Sequence, residues 1–457
     1  MHLQYRAAAL LHPTPRSPVL WVNRILRPVE QQRPTRVRYW VLVFAVTLAV
    51  VTYIDRVCIS FASPFIRADL HLSNVQMGYA FSAFAWAYAL FEIPGGFLGD
   101  RLGARRVLLR IVLWWSAFTA ATGWAWNFAS LTVTRFLFGA GEAGCFPNLT
   151  KAFTIWFPHH ERVRVQGLMW LSARWGGAFT PPLVYLVINR VSWRHAFEFF
   201  GGIGLVWAIF FYAWYRDHPR QNRALNDAER RLLLPNDAMA PGHLHLPWRE
   251  FLRAPQVWML CAQYFCSSYG WYFYITWMPT YLRDARGLEL RDSALLAILP
   301  LFMGGLGSMA GGFLAEPLAR ALGSVLRARR FLAYIGFSGA ALLLVLSTRI
   351  HNPLLAMIIM GLASFSNDLV MPGSWGACMD VGARYAGTLS GAMNMMGNLG
   401  GAVSPTVVGY ILYWTGNNWN LTFYVSASFY LAAVLLWRFL DPVAPLIQTE
   451  QPSPVTV

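Results

Sequence analysis

Long apolar runs separated by short polar stretches dominate the chain. They fall near 39–60, 77–98, 107–127, 131–156, 164–188 and 195–215, and a polar segment at 216–254 follows. A second set runs near 255–282, 293–315, 329–348, 352–378, 385–413 and 419–439. A helix that crosses a bilayer needs about 20 apolar residues, and each run meets or approaches that length. The pattern predicts an all-α integral membrane protein of twelve transmembrane helices in two six-helix halves. Its expected parts are a tail (1–38), a first half (39–215), a linker (216–254), a second half (255–440) and a closing tail (441–457).

Composition agrees. Of 457 residues, 56% are hydrophobic and only 13% charged, against about 25% charged in soluble domains. The formal charge of +16 would suggest nucleic acid for a soluble protein. In a membrane protein it reads as arginines retained on one face, so no nucleic-acid partner is expected. The tail before 39, the loops 99–106, 157–164 and 316–330, and the linker are all Arg-rich, whereas 127–131 and 413–419 carry no charge. The loop 283–292 is mixed, with Asp284, Glu289 and Asp292 among its arginines. This asymmetry predicts an inner-membrane protein with both termini cytoplasmic. Lys151 is the sole lysine. The tail lacks the apolar core and small-residue cleavage site of a signal peptide. The five cysteines lie in apolar segments without metal-ligand spacing, and no nucleophile–base set appears. Neither a cofactor nor enzymatic chemistry is expected.

Ionisable groups at bilayer depth are costly and usually serve function. Asp55 and Arg56 are adjacent in the first span; Arg135 and Glu142, seven residues apart in the fourth, share a helix face. Arg174 lies mid-way along the fifth span and Asp368 mid-way along the tenth. Such pairs either fix helix register or hold an anion and a proton. An arginine fork matches a carboxylate, so Arg56, Arg135 or Arg174 suits an anionic substrate. Asp55 and Glu142 suit a proton that is taken up and released as neighbouring arginines change partner. Glu92, one turn from Tyr88, reads equally as a structural group or part of a gate. In the second half, Gln263, Tyr269, Trp375, Asn394 and Asn398 offer amides and aromatic rings that suit a hydroxylated substrate.

The run Gly95-Gly96-Phe97-Leu98-Gly99-Asp100-Arg101-Leu102-Gly103-Ala104-Arg105-Arg106 returns in part as Gly311-Gly312-Phe313-Leu314-Ala315-Glu316. Duplicated halves are the architecture of secondary transporters. Asp100, Arg101, Arg105 and Arg106 are expected to bond across the seam between halves, with Asp380 and Arg384 as partners. Glu316 marks the degenerate second copy, which predicts unequal gating by the two halves.

The first copy resembles the Gly-x-Leu-Ala-Asp-Arg-x-Gly-x-Arg-Arg loop of the major facilitator superfamily. Further stretches resemble its anion:cation symporter family: Tyr53-Ile54-Asp55-Arg56, Arg135 through Gly144, Trp277-Met278-Pro279-Thr280-Tyr281-Leu282, and Ser374-Trp375 through Pro405. That family includes bacterial hexuronate, aldonate and aldarate importers and sialin-like carriers. The resemblance implies proton-coupled symport of a small organic anion, most often a sugar acid, by a monomer. It implies Asp55 and Glu142 as proton sites, with Tyr53, Arg56, Tyr88, Arg135, Trp375, Asn394 and Asn398 at the substrate. Arg174 and Asp368 depart from the sugar-acid pattern. A carrier of aromatic acids, dicarboxylates or phosphorylated compounds, or a non-transporting anion receptor, stays open.

Overall fold

Caps and glycines decide where the helices begin and end. The structure, a computed structural model, describes residues 33–188, 190–235, 248–289, 293 and 295–446. Most of the two expected tails, part of the linker and Asp292 lie outside those residues.

Helix α1 (Tyr39–Leu70) ends on His71 in the left-handed conformation. Helix α2 (Asn74–Leu102) starts with a Ser73/Gln76 capping box. A single residue, Gly103 at φ +89°, separates it from α3 (Ala104–Gly123). The expected fourth span is two helices. Helix α4 (Phe128–Glu142) opens with an Asn127/Ser130 capping box, and α5 (Cys145–Trp156) begins after Gly144, whose φ of +82° breaks the helix directly past Glu142. Helices α6 (His159–Ile188) and α7 (Trp193–Trp214) complete the first set.

Two short linker helices follow, α8 (Asp227–Leu233) and α9 (Trp248–Arg253). The second set is α10 (Pro255–Thr276) with its extension α11 (Met278–Asp284), then α12 (Ile298–Ala321), α13 (Val325–Ser347), α14 (Pro353–Gly382), α15 (Ala386–Thr415) and α16 (Trp419–Phe439). Seven described helical stretches are long and apolar enough to cross a membrane by length and composition alone, one of them covering both α14 and α15.

The halves meet along two lines, α2 against α15 and α6 against α12. These are counterparts, the second and eleventh spans and the fifth and eighth. Glycines permit the approach. Gly96 abuts the Gly387 backbone, Gly391 the Glu92 backbone, and Gly167 meets Ser308 and Gly312. Close backbone packing of this kind gives membrane helices dispersion contacts that lipid cannot displace.

The linker is anchored to the first half. Glu229 of α8 is fully buried and accepts from Arg38 Nη1 at 2.9 Å and Thr35 Oγ1 at 2.5 Å. Arg38 also grips Glu161, at the start of α6, through two bonds of 2.9 and 2.8 Å.

Candidate translocation site

A narrow cavity of about 40 Å³ lies between the halves, lined by α1, α2, α5 and α6 on one side and α10, α14 and α15 on the other. On its first-half wall, Arg56 projects between four aromatic rings. Its guanidinium carbon lies 4.3 Å from the Tyr88 centroid, 5.6 Å from those of Tyr53 and Phe84, and 5.7 Å from Phe146. The ring faces favour the cation, and Glu142 of α4 accepts its Nε–H.

Consecutive helical residues point about 100° apart, so Asp55 cannot share the direction of Arg56. Asp55 is buried, and the charged groups facing it are Glu142 and Arg135. Arg135 stacks on Phe138 at 4.3 Å. Both Asp55 carboxylate oxygens, Nε and Nη1 of Arg135 and Oε2 of Glu142 are buried without a hydrogen-bond partner among the described residues. Buried charged atoms are rarely left so. This cluster is electrostatically balanced but poorly bonded, a state that a proton or an anion readily alters.

A second arginine sits on the same wall. Arg174 of α6 clasps Asp368 of α14 through Nε–Oδ2 at 2.7 Å and Nη2–Oδ1 at 3.1 Å, across the two halves. It also donates to the Tyr53 hydroxyl at 3.4 Å, and its guanidinium lies 3.8 Å from the centre of a Trp271 ring. Asn367 Nδ2 donates to Asp368 at 2.9 Å and is itself held by Ser267 at 2.8 Å.

A third bridge links α2 and α15. Asn394 Nδ2 donates to Glu92 at 2.6 Å and to the Tyr88 hydroxyl at 3.3 Å. One turn on, Asn398 accepts from Tyr272 at 2.9 Å. The structure thus brings together Tyr53, Arg56, Tyr88, Arg174, Asn394 and Asn398 around one cavity, with Asp368, Glu142, Asp55 and Arg135 directly behind.

Five expected substrate residues do not line the cavity: Arg135 and Asp368 lie directly behind it, and three more stand apart in second-half packing. Gln263 is buried in second-half packing, accepting from Trp437 at 3.2 Å. Tyr269 stacks on Phe429 at 4.1 Å. Trp375 donates to the Tyr264 hydroxyl at 3.2 Å and tilts against Trp170, which places it one layer behind the wall. Spacing along a helix could not separate these from lining residues, because every face of a central helix meets protein. Trp170, Ser267, Trp271 and Asn367 line the cavity in addition. Trp170 and Trp271 each sit among other aromatic or apolar side chains that do not mark them as lining residues.

Of the expected gate residues, Asp100, Glu316 and Asp380 bond across the two halves, with partners other than those expected. Asp100 does not reach Asp380. It accepts the backbone amides of Gly387 at 3.1 Å and Thr388 at 2.7 Å, plus the Thr388 hydroxyl at 2.7 Å, and pairs with Lys151 at 3.1 Å. A carboxylate at the start of α15 satisfies amides that no helical carbonyl can reach. Lys151 also donates to the Arg384 carbonyl at 2.6 Å. Asp380 instead pairs with Arg162 at 3.2 Å and Arg329 at 2.6 Å. Glu316 meets Arg164 of the first half at 3.2 Å and Arg320 at 2.5 Å.

Arg105 turns away from the seam and donates to the Tyr212 carbonyl at 2.6 Å, while its backbone amide donates to Asp217 at 2.9 Å. Burial pushes the Asp217 carboxyl above its ordinary value against that pull. Arg101 and Arg106 are exposed. The sequence repeat located the seam, but an acid–backbone bond leaves no side-chain pattern to read.

Comparison with known proteins adds the family. The family model of the Major Facilitator Superfamily matches residues 45–405. The chain belongs to the major facilitator superfamily. It is 34% identical over 410 residues to the probable sulfoacetate transporter SauU of Cupriavidus necator, covering 89% of this chain and 95% of that protein. It is 29% identical over 420 residues to the hexuronate transporter of Bacillus subtilis, covering 91% and 98%. The crystal structure of the Escherichia coli fucose:proton symporter FucP superposes with a TM-score of 0.66 at 16% identity, covering 91% of this chain and all of FucP. At that identity the likeness concerns the fold alone. This major facilitator protein is therefore a multi-pass membrane transporter with the superfamily's twelve-span fold, and it resembles the superfamily's hexuronate and aldarate carriers.

Proposed function

We propose that the protein is a secondary active transporter that carries a small organic anion, a sugar acid in the first instance, together with protons by alternating access. The observation that carries this reading is Arg56. It projects into the central cavity from an aromatic cage while Glu142 holds it from behind. An incoming anion competes with Glu142 for the guanidinium. The released carboxylate, buried beside Asp55, is then favoured to take a proton, because burial disfavours its unpaired charged form. Substrate and proton enter together for that reason.

Asp55 and Glu142 are assigned to the proton, and Tyr53, Arg56, Tyr88, Arg174, Asn394 and Asn398 to the substrate. Arg135 holds the charge balance of the proton pair. The bonds made by Asp100 and Glu316 close the cavity on the arginine-rich face, which the positive-inside bias assigns to the cytoplasm of an inner-membrane monomer. Hexuronate and sulfoacetate in the relatives' names support an organic anion as cargo.

Uptake of labelled sugar acids into proteoliposomes, with and without an inward proton gradient, tests the reading. Gradient-driven accumulation supports it. Binding without uptake or counterflow overturns it in favour of a receptor.

A further inference from the structure

Two arginines of the first half face one cavity, yet a monoanion needs only one. Arg56 lies 5.6 Å from the centroid of the Tyr53 ring, and Arg174 donates to the hydroxyl of the same tyrosine at 3.4 Å. The guanidinium groups are therefore one tyrosine side chain apart. Their restraints differ. Arg56 is held by Glu142 of its own half, whereas Arg174 is held by Asp368 of the other half through a bidentate clasp.

Arg174 is 3% exposed and Asp368 fully buried. Replacing a buried ion pair by apolar residues is often neutral or stabilising, so stability alone does not account for this one. Its surroundings are arranged for exchange of partners. Arg174 rests on the face of Trp271 at 3.8 Å and keeps its bond to Tyr53, while Asp368 keeps the Asn367 amide at 2.9 Å. Neither charge is stranded when the clasp opens.

We propose that the substrate is a short organic dianion whose two charged ends engage Arg56 and Arg174 together, and that capture of Arg174 from Asp368 releases a latch between the halves. A monoanion fills the Arg56 end alone. It binds, leaves the latch closed and is not carried. Arg174 and Asp368 thus determine specificity at the level of translocation. The cargo class is a dicarboxylate or sulfocarboxylate of a few carbons, an aldarate in preference to an aldonate. This inference rests on the transport reading above.

The test uses purified full-length protein in proteoliposomes and two probe pairs, labelled galactarate against galactonate and sulfoacetate against acetate. Wild type is expected to take up at least one dianion tenfold faster than its monoanionic partner, with the monoanion acting as a competitor. Asp368→Asn is expected to bring the ratio below threefold by raising monoanion uptake, a gain that misfolding cannot produce. Arg174→Gln is expected to lower dianion uptake at least tenfold while competition by the monoanion persists, and Arg174→Lys to fall between.

Equal uptake of both members of each pair by wild type overturns the proposal, as does uptake of monoanions alone; both leave the transport reading standing. Parallel changes for both members in the variants also overturn it. Wild type that accumulates none of the four probes overturns the proposed cargo class; the organic-anion reading falls with it only when the sugar-acid panel, hexuronates included, also gives no uptake.

Discussion

Asp100 and Thr388 are joined twice across the seam, through the threonine backbone amide and its hydroxyl, each at 2.7 Å. The carboxylate acts as a borrowed cap for α15, and a hydrogen bond to a charged group contributes about 1.5–3 kcal/mol. Asp100→Ala is expected to accelerate hydrogen exchange at Gly387 and Thr388 by about 10- to 100-fold, the equivalent of that energy, and to lower uptake. Unchanged exchange at these amides would remove Asp100 from the seam.

Glu92 and Asn394 bridge α2 and α15 beside the cavity, which Asn394 lines. Asn394→Ala leaves a buried carboxylate short of a donor, a loss of about 1–3 kcal/mol. The expected outcome is a lower melting temperature in detergent. Glu92→Gln in the same chain removes the charge and is expected to restore the melting temperature but not transport. A single variant that melts like wild type would show that the bridge contributes nothing.

Gly96 lies against the Gly387 backbone with no room for a Cβ, whereas Gly78 has nothing within 4 Å. Gly96→Ala is expected to wedge the seam and cut uptake about tenfold, a barrier of about 1.4 kcal/mol. Gly78→Ala is expected to leave uptake unchanged. Equal uptake in the two variants would mean that the α2–α15 contact tolerates separation.

Glu142→Gln removes the carboxylate proposed to take the proton and weakens the hold on Arg56. Gradient-driven accumulation is expected to disappear while exchange of labelled for unlabelled substrate continues. Retained accumulation in the variant would place proton coupling elsewhere.

The twelve spans were legible because each is a long apolar run, and the seam because its Gly-rich loop recurs. The fourth span hid its break. Gly141 and Gly144 both look like packing glycines in sequence, and only Gly144 takes a positive φ. Arg56, Glu142, Arg174 and Asp368 stood out because charge at bilayer depth is rare. Which charges pair was not legible, since partners come from separate helices: Arg162 with Asp380 is one case and Lys151 with Asp100 another. Gln263 and Trp375 were misplaced by one layer of packing, a distance that sequence does not encode.

Lys151 is the single lysine of the sequence, and its side chain is fully buried between Asp100 and the Arg384 carbonyl. The described chain therefore offers amine-directed reagents one target, hidden whenever the seam is shut. An acylating label small enough to reach it turns this residue into a built-in reporter. In the proposed alternating-access cycle, its rate of modification counts the fraction of time the seam stands open, with no engineered probe and no background from other side-chain amines.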